Sequence, residues 1–190
     1  MVRTTNQIVA AFRKCLLGGL EEWFGVGEDK CAVLYVGQAI PQNAKRCITF
    51  AKIGEKRVGF QGKRLVDDGN PEGDFDETEE WIGEMTFQVN ARSKETIGDA
   101  LTTVTARDIA DGLVSWFNSW RGLELCAENG IYPLRSGEIR NMTVRDESDL
   151  MANNSRFDIT VHIGQSKKRK ADAAFVKAFQ SHRVEKDGIK

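Results

Sequence analysis

The sequence predicts an α+β protein: an antiparallel or mixed β-sheet packed by two main helices, with a basic C-terminal extension. Three observations carry this. Two long stretches repeat apolar residues every three or four positions, the period of an amphipathic helix. Several shorter runs are β-branched and aromatic, and the best of them alternate apolar with polar residues, the period of a strand with one buried face. These strands are short, bounded by turn residues and mostly half polar. That suits a sheet with helices on one face better than the doubly buried parallel sheet of a nucleotide-binding fold. A chain of 190 residues with 41% apolar and 29% charged residues has the size and balance of one ordinary globular domain.

The first helix is read over residues 5–24. Ile8, Val9, Phe12, Leu16, Leu20, Trp23 and Phe24 form its apolar stripe, Thr4 or Thr5 caps its start, and Gly25 and Gly27 end it. Gly18 and Gly19 each cost about 1 kcal/mol relative to Ala inside a helix, so they mark a kink or a close helix contact. CAVLYVGQAI reads as a strand stopped by Pro41. CITFAKIG and RVGFQGKRLV read as a hairpin broken near Gly54. In WIGEMTFQVNA, Trp81, Met85, Phe87, Val89 and Ala91 share one face; Glu84, Thr86, Gln88 and Asn90 share the other.

The second helix is expected over TIGDALTTVTARDIADGLVSWFNSW. Its stripe is Ile97, Leu101, Val104, Ile109, Leu113, Trp116, Phe117 and Trp120, and Gly122 is its stop. EIRNMTV and RFDITVHI complete the sheet. Residues 1–164 thus form the domain. Residues 165–190 form a tail with eight bases against three acids, in which ADAAFVKAFQ offers a short docking helix bearing Phe175, Val176 and Phe179.

Several function classes fail on chemistry. The net charge of −1 is not that of a nucleic-acid-binding polycation. Arg13 and Lys14 interrupt the leading apolar stretch, which argues against a signal peptide, and no run is long enough for a bilayer, so the expected compartment is cytosolic. Cys15, Cys31, Cys47 and Cys126 lack metal-site spacing and read as buried thiols. His162 falls on a strand's polar face and His182 in the tail, which leaves no partner for a nucleophile. No phosphate-binding glycine loop follows a strand, since GVGEDK follows a helix. No catalytic residue, cofactor or metal is therefore expected.

Three charged segments remain. Residues 67–80 hold eight acids and no base, among them Asp67, Asp68, Glu72, Asp74, Asp76 and Glu77, and read as an exposed loop. Lys167, Lys168, Arg169 and Lys170 form a basic run suited to phosphate contacts; a nucleic-acid-binding module using this tail is the alternative reading. Asp146, Glu147 and Asp149 could ligate a metal in an enzyme, but the sequence nominates no further ligand.

The order of these elements, together with EEWIGEMTFQVNARS, the helix after it and IRNMTVRDESDLMANNSRFDITVHI, resembles the tail-terminator (neck-terminator) proteins of long-tailed bacteriophages over residues 5–164. The resemblance implies a virion structural subunit of the tail or neck, assembled in the host cytoplasm into a homohexameric ring. Such a ring caps the tail-tube protein, ends its polymerisation and joins the tail to the head connector, and genomic DNA passes through it without sequence recognition. It implies no catalytic residues and no membrane partner. Asp146, Glu147, Asp149, Arg156 and Asp158 then become expected subunit-interface residues. The acidic segment becomes a channel or ring-face surface, and the Lys167–Lys170 run a contact to a neighbouring ring.

Overall fold

The computed structural model describes residues 3–25, 31–41, 44–67, 75–93, 104–145 and 151–170. Among the described residues nine elements follow one another: α1 (Thr5–Phe24), β1 (Cys31–Tyr35), β2 (Arg46–Asp67), β3 (Phe75–Ser93), α2 (Ala106–Asn118), α3 (Trp120–Glu128), β4 (Tyr132–Ser136), β5 (Arg140–Arg145) and β6 (Met151–Lys170). The six strands form one sheet in the order β1-β2-β3-β6-β4, with β5 also paired to β6, which makes the fold α+β as expected. The sheet is mixed: β1 runs parallel to β2, while β4 and β5 run antiparallel to β6. β4 and β5 line the same edge of β6, with the register shifting within β4, where Gly137 N donates to Asp158 O.

The chain divides into two compact units. The larger comprises Arg3–Arg57 and Gly83–Ile163 and contains all three helices. Its core lies between the helices and one face of the sheet. On that face stand Val33, Ile48, Phe50, Met85, Phe87, Val89, Ala91, Phe157, Ile159, Val161 and Ile163, all buried. The alternation in β3 and β6 therefore reads out as expected. Phe12 of α1 is the hub, with its ring stacked 4.2 Å from Phe87 and 5.7 Å from Phe117.

α1 begins with a capping box: Gln7 N donates to Thr4 Oγ1 and Thr4 N to Gln7 Oε1. It ends at Gly25, whose φ of 57° needs a residue without a Cβ. The glycine pair inside α1 is explained by close approach. A Cβ on Gly19 would lie 2.7 Å from Trp116 Cδ1, and one on Gly18 2.5 Å from Leu125 Cδ2. This lets α2 and α3 press onto α1, and Trp116 Nε1 donates to Cys15 O at 2.9 Å across the contact. Arg3 Nη1 donates to Asn129 O at 2.7 Å, which ties the start of α1 to the end of α3.

All four cysteines are buried free thiols. Burial, with help from Cys47, pushes the Cys31 thiol up to about 12. Cys126 is pushed up first by its hydrogen bond with the Cys15 thiol and then by burial. Neutral thiols of this kind act as small apolar fillers rather than nucleophiles.

Three expectations are corrected. The hairpin at Gly54 does not form; Arg46–Asp67 is one strand. Gly54 carries no positive φ, and it lies flat against Thr86 of β3, so the partner strand continues alongside where a turn was expected. The expected single helix is interrupted at Thr105, which caps α2 at Ala106 in a capping box with Asp108, and the expected start at Thr96 lies outside the described residues. Of its expected stripe, Ile97 and Leu101 lie outside the described residues. Gly122 does not stop it either. Ser119, extended at φ −80° and ψ 153°, ends α2 and caps α3, accepting from Gly122 N.

That break also reverses one burial assignment. Trp120 would sit on the Trp116 side of a continuous helix, but the extended Ser119 turns it out of the core, and it is 82% exposed.

The smaller unit takes its described residues from Val58–Ile82 and from Gly164 onward. Here β2, β3 and β6 continue as strands, so residues 165–170 belong to β6 and not to a tail. Residues 75–80 likewise belong to β3. Glu77, expected in an exposed loop, is buried at 6%. The expected helix over 171–180 lies outside the described residues.

Candidate assembly surfaces

The face of the sheet opposite the helices carries a ladder of polar pairs between β3 and β6. Glu84 meets His162 at 3.4 Å, Thr86 meets Thr160 at 3.1 Å, Gln88 Nε2 donates to Asp158 at 3.2 Å, and Arg92 Nε donates to Asn154 at 3.2 Å. The partners advance along β3 by two, two and four positions as they retreat by the same steps along β6, the mark of directly opposed residues on antiparallel strands. Lys56 of β2 extends the ladder with a 2.8 Å ion pair to Glu84. The hydrogen bond from Lys56, followed by that from His162, outweighs desolvation and holds the Glu84 carboxyl below its usual range. These side chains are half-buried on a surface that none of the described helices covers, and the four pairs are polar and hydrogen-bonded. Its chemistry suits a wet, specific contact more than a dry pocket.

Two of the expected interface residues fall on this face. Arg156 is half-buried, and Asp158 already accepts from Gln88 within the chain. Asp146, Glu147 and Asp149 lie outside the described residues, as do Asp68, Glu72 and Asp74. Asp67 closes β2, and Asp76 lies next to the start of β3; their side chains are outside the described set. Lys167 and Lys168 are exposed on β6, and Arg169 and Lys170 finish the strand.

The smaller unit holds an open cleft of about 470 Å³, lined by Gly62, Trp81, Ile82, Gly164 and Gln165 among others. Trp81, read from the sequence as core, is only half-buried there. Among the described residues, no three His, Cys, Asp or Glu side chains are placed to share a metal ion.

A family model for the E217 gateway protein gp29 matches residues 31–173, about three quarters of the chain. The chain belongs to that family. The match takes in the whole sheet and leaves α1 outside it. The family is one of phage structural proteins, in keeping with the resemblance to phage tail terminators drawn from the sequence. No curated protein sequence matches the chain. Among solved structures it is similar to the sheath/tube terminator, in the extended state, of the extracellular contractile injection system PVC. The TM-score is 0.49 and the identity 9%, over 90% of this chain and 60% of that one, so the chain spans less than two thirds of that protein.

Sequence reasoning missed two features of this surface. The first is β4, whose YPLRS has no alternation to betray it. The second is the exposure of Trp120, for which the signal was present: a Ser placed three residues before Gly122 is a helix N-cap as readily as a helix-interior residue.

Proposed function

We propose that this phage protein is a tail-terminator subunit, which assembles as a homohexameric ring, caps the tail tube, ends its polymerisation and joins the tail to the head connector, with DNA passing through the ring. The observation that carries the reading is membership of the gateway family over residues 31–173, which span the entire sheet. The physical case agrees. A sheet bounded by β1 at one edge and β4 with β5 at the other presents backbone donors and acceptors that a closed head-to-tail cycle protects. The polar ladder on the open face offers hydrogen-bonding groups for register between copies. The work of such a protein is positional, so no catalytic residue, cofactor or metal enters the reading.

In this reading Asp146, Glu147, Asp149, Arg156 and Asp158 lie at the subunit boundary. Asp67, Asp68, Glu72, Asp74 and Asp76 present negative charge to the channel or a ring face, where like charge keeps DNA from sticking as it slides. Glu77 is withdrawn from that set by its burial. Lys167, Lys168, Arg169 and Lys170 reach a neighbouring ring. Negative-stain micrographs and native mass spectra of the purified protein test the ring directly. A holed ring of six subunits is expected, and a strict monomer at tens of micromolar, with or without tail tubes, contradicts it. Charge reversal at Asp146, Glu147 and Asp149 is expected to impair assembly and leave the circular dichroism spectrum unchanged.

A further inference from the structure

The edges of this sheet are not equally open to an added strand. At β1, side chains already hold two backbone groups: Arg13 Nε donates to Val33 O at 2.9 Å, and Tyr35 N donates to Gln38 Oε1 at 2.8 Å. β2 is interrupted at Gly59, whose φ of 80° does not continue a regular strand. β4 carries Pro133, which has no amide to donate, and its register shifts before Ser136. Covered backbone groups, bulges and prolines all discourage edge-to-edge pairing.

β6 differs. Its pairing with β4 ends at Tyr132 opposite His162, yet the strand runs on to Lys170. Among the described residues no strand lies along that edge beyond His162. Gly164 is exposed there, and a Cβ on it would meet nothing within 4 Å. Lys167 and Lys168 are exposed too, and strand alternation sends them to opposite faces. With Arg169 and Lys170 they make four consecutive bases. Lysines also discourage pairing at an edge. Here the effect is selective, because like charges repel across strands and opposite charges attract. The same edge of a second copy is repelled, and an acidic strand is favoured.

Phosphates fit this run less well. Residues 58–67, 75–82 and 164–170 of the smaller unit hold six bases against five acids, so no broad positive field surrounds it. What the unit offers is a short strand edge with positive charge on both faces.

We propose that β6 beyond His162 accepts an extended acidic segment of a partner protein as an added strand, with main-chain hydrogen bonds along the edge and carboxylates facing the bases at 167–170. The proposal rests on the ring reading for the contact assigned to that run, and it names the chemistry of the partner there.

The test titrates the full chain with the capped, fluorescein-labelled peptide TVEEEEVT, followed by anisotropy and by amide hydrogen exchange of residues 164–170. Saturable binding with slowed exchange in that segment is expected. Lys167→Glu combined with Lys168→Glu should weaken binding at least about tenfold, and the lysine counterpart TVKKKKVT should not bind the parent. The acidic peptide with every amide N-methylated keeps its charge but loses its main-chain donors, and it should also bind at least about tenfold more weakly. Equal binding of the methylated peptide overturns strand addition. So does an absence of binding, or protection confined to other segments. Tighter binding of oligothymidylate with the same protection overturns it in favour of a phosphate contact. Native mass spectrometry of the chain without peptide keeps the two readings apart. Rings that ignore the peptide sink this edge and leave the ring standing, whereas monomers that bind it sink the ring and leave strand addition standing.

Discussion

The two faces of the sheet in the larger unit are made of alternate residues of the same strands, yet they are held in different ways. Under the helices, Phe87, Val89 and Ala91 of β3 and Phe157, Ile159 and Val161 of β6 are sealed from water, with Phe12 stacked over Phe87. On the open face, Glu84, Thr86, Gln88 and Arg92 meet His162, Thr160, Asp158 and Asn154 through hydrogen bonds that remain half in solvent. Burial of apolar area drives folding, whereas exposed polar pairs contribute little beyond specificity. One face drives folding through apolar burial, and the other is held by cross-strand polar pairs that stay half in solvent.

The largest effect should come from breaking the inner face. Phe87→Ala is expected to cost about 3–5 kcal/mol in urea denaturation, because it empties the place beneath Phe12. Its neighbour on the outer face supplies the control. Thr86→Ala should cost less than about 1 kcal/mol, the usual value of one cross-strand pair. Equal losses at the two positions would overturn the comparison.

The helix contact sharpens it from above the core. Trp116→Phe removes the indole bond to the Cys15 carbonyl, which keeps its own helical donor, and leaves part of the indole's buried volume empty, with an expected loss of about 1–3 kcal/mol read from the denaturation midpoint. Gly19→Ala sets two effects against each other. Helix propensity gains about 1 kcal/mol, while overpacking a fixed indole costs about 1–3 kcal/mol. With the new Cβ 2.7 Å from Trp116, a net loss is expected in a thermal melt.

The smallest effect is electrostatic and belongs to the outer face. The Glu84 carboxyl is held below its ordinary value of 4.5, chiefly by the hydrogen bond from Lys56. A depressed folded-state value means that the pairing stabilises the fold above the unfolded value and is lost as pH falls through the folded one. Stability measured between pH 5 and 2 should therefore fall less steeply in Lys56→Met than in the parent. A parallel acid profile in the two proteins would remove Glu84 from the ladder's energetics.

Much of the fold was legible in the residues themselves. The alternation of β3 and β6 and most of the α1 stripe follow from local periodicity, although Trp23, expected in that stripe, is 51% exposed. The sequence left two things open that the structure decides: Thr4 and not Thr5 caps α1, and Gly18 and Gly19 mark a close contact with Leu125 and Trp116. The continuity of β2 was not legible, because Gly54 looks like a turn until a partner strand is known to lie beside it. Nor was the exposure of Trp120, since a serine can sit inside a helix or end one, and packing against α1 decides which. The site was less legible than the fold. Arg156 and Asp158 were placed correctly on a polar strand face. Yet Asp158's partner, Gln88, lies 70 positions away, and Glu77 looked solvated in an acidic run although it is buried.

By itself the sequence determined the inward face of β3, β6 and most of α1, because a period of two or of 3.6 assigns each side chain a face before any partner is known; Trp23, Trp120 and Glu77 depart from that pattern. Periodicity carries no information about which strands become neighbours. Only the tertiary structure set β1 parallel to β2, drew β3 and β6 together and faced Glu84 with both Lys56 and His162. Those pairings depend on chain segments far apart in sequence meeting in one register, and no local pattern encodes that register.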